Sequence, residues 1–244
     1  MSKLDFAETI ESLADLLAFI DEHVSEFDDI LFRGQTQDWE LLPKLARLRF
    51  RGDVSIAEAE AKMLSTMQSR SIPFLDSPPT STWDWLSIAQ HNGMATRLLD
   101  WTTNPLIALW FAVEKPASGD EDGVIWIFTP DEEDHVPDAE NGNPFKSYRT
   151  RVYRPRHINR RIAAQNGWFT VHYLNRKGKF IPFEKISRYK NSLMKLRIPA
   201  KSFPDLRFEL DRCGINTATV YSDLVGVCRD SEWQHSLLDD EDSD

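Results

Sequence analysis

Little in this chain lends itself to covalent bracing. It has two cysteines in 244 residues, Cys213 and Cys228. Two thiols make no disulfide framework, and their spacing fits no common metal motif. No stretch approaches a run of about 18 apolar residues, the length of a membrane-spanning helix. Positive charge is in deficit: 29 Lys and Arg face 39 Asp and Glu, a net charge of −10. That balance argues against broad nonspecific binding to nucleic acid. A Walker A loop, a dinucleotide glycine fingerprint and a nucleophile elbow are all missing, and no serine sits in a recognisable triad context. No internal repeat is visible. The opening MSKLDFAETIESL has neither the basic start nor the cleavage site of a signal peptide. The expectation is a reduced, cytoplasmic protein with no metal and no membrane partner.

What the chain does have is core. Hydrophobic residues make up 41%, including 8 Trp and 14 Phe, enough for one large domain. The stretch from Trp83 to Glu114 organises it. Trp83, Leu86 and Ala89 recur at helical spacing, and Asn92-Gly93 stops that helix, with Gly93 suited to a left-handed position. A polar loop and a short extended run follow. Asn104 then caps a second helix with Pro105 at its first position. Leu106, Leu109, Trp110 and Val113 form its apolar stripe, and Pro116 ends it. His91, Thr96, Arg97, Asp100 and Thr102 lie between two apolar helices, so they need partners: each other, backbone or a ligand.

The rest reads in order. Residues 6–25 form an amphipathic helix. Ile30 to Phe32 start a strand that delivers Arg33, and Gly34 allows a turn or close approach of a ligand. Ser55-x-x-Glu58 is a capping box for a helix to about Arg70. Gly123–Thr129 is a continuous apolar strand. Residues 130–145 read as a long, mobile acidic loop. The sign then flips: KSYRTRVYRPRHINRR, residues 146–161, carries six arginines. A short helix over 157–164, strands over 168–172 and 192–198, a helix over 204–213, a last strand over 215–220 and a helix capped by Ser222 complete the pattern. The tail DDEDSD reads as disordered. The predicted fold is α+β: a mixed β-sheet with helices packed against it. Residues 1–27 form an N-terminal helical piece, 28–236 the domain and 237–244 the tail.

Three constellations carry chemistry. Arg33 at a strand end can fork onto a phosphate or carboxylate, or pair with a buried carboxylate such as Asp100. Arg97 and Asp100, three apart, favour an internal ion pair, although Arg97 can also face a pocket. His91 ends an apolar helix, the setting of a satisfied core histidine, yet Gln90, Asn92 and Thr96 keep acid–base work open for it. Gln165, Gly167, Phe169, Thr170 and His172 form the second constellation, with Thr170 and His172 on one strand face. The third is the basic run. Arg149, Arg151, Arg154, Arg156, Arg160 and Arg161 can hold nucleic-acid phosphates while tyrosines stack on bases, or be neutralised by the acidic run before them.

The blocks LFRGQTQDWELLPKLAR and QHNGMATRLLDWTTNPLIALWFA resemble the FRG domain family, whose motif is here Phe32-Arg33-Gly34. The resemblance runs from about residue 28 to about 228. It implies little chemistry, and its family context implies a microbial defence or toxin role. LFRG also resembles the opening strand of ADP-ribosyltransferases, where a strand-borne arginine holds the phosphates of NAD. That resemblance implies an ADP-ribosyltransferase-like sheet. Arg33, Gly34, Gln35, Arg97, Gln165, Phe169 and Thr170 would then bind the nucleotide, with His91 or His172 on a ribose hydroxyl. The Glu-x-Glu of that family is missing, and Asp223 is the nearest acid. Two functions follow as expectations: a nucleotide-binding, transferase-like effector, or a noncatalytic module for nucleic acid or a protein partner. They are separated by whether Arg33, His91, Arg97, Gln165 and His172 share one cleft.

Overall fold

The computed structural model describes residues 5–75, 79–137, 142–155 and 164–241. Its core is a sheet of seven strands. These are β1 (Glu8–Thr9), β2 (Leu31–Gln35), β3 (Leu98–Thr102), β4 (Gly123–Phe128), β5 (Arg151–Tyr153), β6 (Gly167–Val171) and β7 (Leu193–Ile198). They lie in the order β1-β7-β4-β2-β3-β6-β5. Only β1 on β7 runs parallel; the other neighbours are antiparallel. Among the described residues seven α-helices accompany them: α1 (Leu13–His23), α2 (Ile56–Ser71), α3 (Thr82–His91), α4 (Pro105–Val113), α5 (Phe203–Arg212), α6 (Thr217–Tyr221) and α7 (Leu224–Trp233). The architecture is the α+β arrangement expected.

Local rules set most boundaries. Ser55 and Glu58 form the predicted capping box of α2, and Asn104 accepts from Leu106 N–H to start α4. Gly93 takes a φ of 80° after α3, as a left-handed helix stop requires. The sheet is covered on both sides. Over β2, β4 and β7, Phe32, Ile125, Ile127 and Leu196 pack on α1, α4 and α5. Over β3 and β6, Leu98, Phe169 and Val171 pack beneath α2 and α3. The opposite face is an aromatic layer including Trp101, Trp126, Phe128, Phe183 and Tyr189. α4 lies so close to β2 that a Cβ on Gly34 would stand 1.8 Å from the Ala108 carbonyl oxygen. The glycine of the Phe-Arg-Gly motif thus serves helix–sheet contact.

Several expectations are corrected. Residues 8–9 pair with β7, so α1 begins only at Leu13, where Ser12 caps it. Residues 217–221 are helical, not a strand: Asn216 caps them in a capping box with Thr219. Asp223, not Ser222, caps α7; Ser222 takes a left-handed φ of 52°. The loop over 130–145 is anchored where it is described: Gly142 accepts from the Trp83 indole at 2.8 Å and Phe145 packs in the core. The basic run 146–161 contains a strand, β5, whose Val152 and Tyr153 are buried, so Tyr153 is not free to stack on a base. The tail is docked through Glu241, since Asp240 and Glu241 both pair with the buried Arg207. Of the predicted helix over 157–164, residues 157–163 lie outside the described residues.

Candidate functional site

The sheet is two smaller sheets held together at one point. β2 pairs with β4 over five residues, and β3 pairs with β6 over five. Between β2 and β3 the register is one pair, Phe32 with Thr102. Past it the strands part, and parting strands leave backbone groups without ladder partners. Arg33 bridges that gap: its Nη1 donates to the Asp100 carbonyl at 2.7 Å. At the split a cleft of about 440 Å³ opens, lined by residues of both sheet faces. β2 contributes Phe32, Arg33, Gly34 and Gln35; α3 contributes Gln90 and His91; β3 contributes Asp100, Trp101 and Thr102. Phe111, Glu114 and Lys115 come from α4 and its end, while Gln165, Gly167, Trp168 and Phe169 close the far wall.

Charge in the cleft is mixed and ordered. The Arg33 side chain is 19% exposed. Burial pushes its guanidinium below the usual value, Asp100 pulls it back up, and Arg47 adds a second positive charge that pushes it down. Its Nε is buried with no hydrogen-bond partner among the described residues. A buried cationic donor without a partner is costly, and an anion would satisfy it. Arg47 also lines the cleft, and it enters none of the ion pairs found among the described residues. Asp100 is 57% exposed, with Oδ2 3.9 Å from Arg33 Nη1. The aromatic rings of Trp39, Phe111, Trp168 and Phe169 sit among these charges.

The structure gathers some of the predicted site residues and separates others. Arg33, Gly34, Gln35, His91, Gln165 and Phe169 share the cleft. Gln35 is partly committed, accepting from the Trp126 indole at 3.0 Å, and Gln165 donates to the Val220 carbonyl at 3.1 Å. Arg97 does not reach the cleft and does not pair with Asp100. It is 3% exposed and pairs with the fully buried Glu60 of α2, Nη2 to Oε2 at 2.7 Å, while its ring neighbour is Phe145. The Arg97–Asp100 pair is therefore a correction, and so is a buried Asp100. Helical α2 brings Glu60 beneath the loop, a contact that the sequence separation hides.

Thr170 and His172 lie on one strand face as read, but that face is closed. Thr170 is fully buried, accepts from the Trp101 indole at 3.0 Å and meets His172 Nε2 at 3.0 Å. His172 is 1% exposed. Burial first, then the charges of Arg33 and Arg97, hold its pKa down at about 3, so it is neutral near pH 7. Asp223 accepts from Gly226 N–H at 2.7 Å as a helix cap and does not line the cleft.

The basic run forms no open patch where it is described. Arg149 and Arg151 both donate to the Glu133 carbonyl, and Arg151 also to that of His135 at 3.0 Å. Arg154 lies over Trp168, 5.3 Å from its ring centre. Arg156, Arg160 and Arg161 lie outside the described residues. The sequence reading passed over Arg47, Phe111, Glu114 and Lys115. For Arg47 a signal was available: it ends the LFRGQTQDWELLPKLAR block.

Residues 28–121 match the model of the FRG domain family. The match includes Arg33, Arg47, Gln90, Asp100 and Lys115; the wall from Gln165 to Phe169 falls beyond it. No curated protein and no solved structure matches the chain. Among the described residues no helix is long and apolar enough to cross a membrane.

Proposed function

We propose that this FRG-domain chain binds a nucleotide such as NAD in the cleft where β2 and β3 part. The observation that carries the reading is Arg33: a largely buried guanidinium with an unpartnered Nε, facing a cleft that Arg47 also lines. Two guanidiniums lining one pocket, Arg33 half-buried and Arg47 exposed, suit a diphosphate better than a single carboxylate. Trp39, which is exposed, and the half-buried Phe111 offer faces on which a base or a nicotinamide ring can stack. The cleft's volume of about 440 Å³ lies within the range of small-molecule sites. A bound NAD would supply a glycosidic bond open to transfer. The chain's own part is to hold the phosphates at Arg33 and Arg47 and to shield the ring from water with the aromatic walls.

A transferase role for this domain needs a cleft carboxylate. Asp100 and Glu114 are the acids in place there, since Asp223 is committed to a helix end. A defence or toxin role rests on the family resemblance alone. A nucleic-acid module is less well supported, because Arg149 and Arg151 are engaged with backbone carbonyls.

The test is calorimetric titration of NAD, ADP-ribose and short single-stranded oligonucleotides into the protein and into Arg33→Ala and Arg47→Ala. The expected result is binding of NAD or ADP-ribose that Arg33→Ala abolishes while the protein stays folded, and that Arg47→Ala weakens at an unchanged melting temperature. Binding of oligonucleotides alone, insensitive to both substitutions, overturns the reading.

A further inference from the structure

Asp100 is the odd group in an anion site. An anion held by Arg33 would meet a carboxylate whose Oδ2 lies only 3.9 Å from the Arg33 Nη1. Like charges at such a distance repel. Asp100 is nevertheless fixed in place by a directed chain of hydrogen bonds. Leu98 N–H donates to Thr96 Oγ1 at 3.1 Å, which occupies the hydroxyl as an acceptor. The Thr96 hydroxyl donates to Gln90 Oε1, 2.7 Å away. That contact turns the Gln90 amide so that its Nε2 donates to Asp100 Oδ2 at 2.9 Å. Thr96 is fully buried, and through it the chain of hydrogen bonds links a backbone amide of β3 to a carboxylate in the cleft. Gln90 takes one lone pair of Oδ2, and no hydrogen bond among the described residues uses Oδ1.

We infer that Asp100 is a ligand-binding carboxylate that accepts the paired hydroxyls of a ribose, making the cleft specific for phosphoribosyl ligands over bare anions. The inference rests on the nucleotide reading above and narrows it. A carboxylate with one free oxygen and spare lone pairs accepts two neighbouring hydroxyl donors, as acidic residues do for the ribose of dinucleotides. Its setting beside Arg33 fits a ligand whose phosphate and sugar are one linkage apart. The negative charge that would expel a second anion selects a neutral donor at that place, so attraction at Arg33 and repulsion at Asp100 together choose the ligand. Gln90 is a positioning residue, acting through Asp100.

The experiment compares ADP-ribose with inorganic pyrophosphate, which offers charge without hydroxyls, on the full chain and on Asp100→Asn and Gln90→Leu. Melting temperatures verify that each variant is folded. The expected result is that Asp100→Asn weakens ADP-ribose by about tenfold, the size of a lost charge-assisted hydrogen bond. Pyrophosphate should bind that variant as well as, or better than, the unaltered protein. Gln90→Leu should weaken ADP-ribose by a smaller factor and leave pyrophosphate unchanged. ADP-ribose binding that Asp100→Asn leaves intact overturns this inference while the nucleotide reading stands. Parallel loss of both ligands also overturns it, because it shows general damage to the site. An unaltered protein that binds pyrophosphate and not ADP-ribose, or neither, overturns both readings.

Discussion

Glu60 and Arg97 form an ion pair inside the protein, with Nη2 to Oε2 at 2.7 Å and side chains 0% and 3% exposed. Glu60 accepts from the Arg97 backbone N–H as well, at 3.0 Å. This contact ties α2 to the start of β3, and β3 carries Asp100 into the cleft. Removing one member of a buried pair leaves the other charged and unpartnered. Glu60→Ala should destabilise the protein by about 3–5 kcal/mol. Urea denaturation measures it; a loss under about 1 kcal/mol would show that water reaches Arg97 in the folded state.

Asp100 behaves differently because its carboxylate is 57% exposed. Asp100→Ala should cost less than about 1 kcal/mol, the scale of an exposed pair. The same denaturation experiment decides it, and a loss near that of Glu60→Ala would contradict the exposed placement.

Gly34 is required by packing. An added Cβ would sit 1.8 Å from the Ala108 carbonyl oxygen and 2.7 Å from the Ala112 nitrogen. Both are backbone atoms, so no side chain can swing aside. Gly34→Ala should cost about 3 kcal/mol or more, at the upper end for overpacked cores. Soluble yield and melting temperature report it. An unchanged melting temperature would mean that α4 can move off β2 at little cost.

His172 links stability to pH. Burial, Arg33 and Arg97 hold its folded pKa at about 3, against an ordinary 6.5. In the unfolded chain it takes up a proton as pH falls through 6.5; in the folded chain it does not until about 3. The unfolded state therefore binds more protons between those values, and stability falls as pH drops through that window. The slope is at most about 1.4 kcal/mol per pH unit for one proton. Stability curves at pH 7 and pH 5 should be further apart for the unaltered protein than for His172→Gln. Equal separations would place His172 in contact with water.

The organising stretch was legible because its signals are local. The Ser55–Glu58 capping box, the Asn104-Pro105 start and the Gly93 stop concern groups within a few residues of one another. Strands β2, β4, β6 and β7 showed as apolar runs. β5 hid within a basic run, because its two buried residues, Val152 and Tyr153, stand between arginines. Thr217–Tyr221 has a strand's composition and a helix's cap, and the cap decided it.

The sequence by itself determined the α+β class, most helix ends and the presence of Arg33 on a strand, though in the middle of β2 rather than at its end, since propensity, capping and hydrophobic period act over short distances. Partner choice was decided by tertiary structure. Glu60 lies 37 residues from Arg97, and no spacing rule reaches that far. The strand split that seats Arg33 against the Asp100 carbonyl exists only because two sheet halves, each fully paired on its own outer side, meet at one residue pair. Which polar groups face the cleft and which are sealed beneath it followed from how α2, α3 and α4 settle on that sheet.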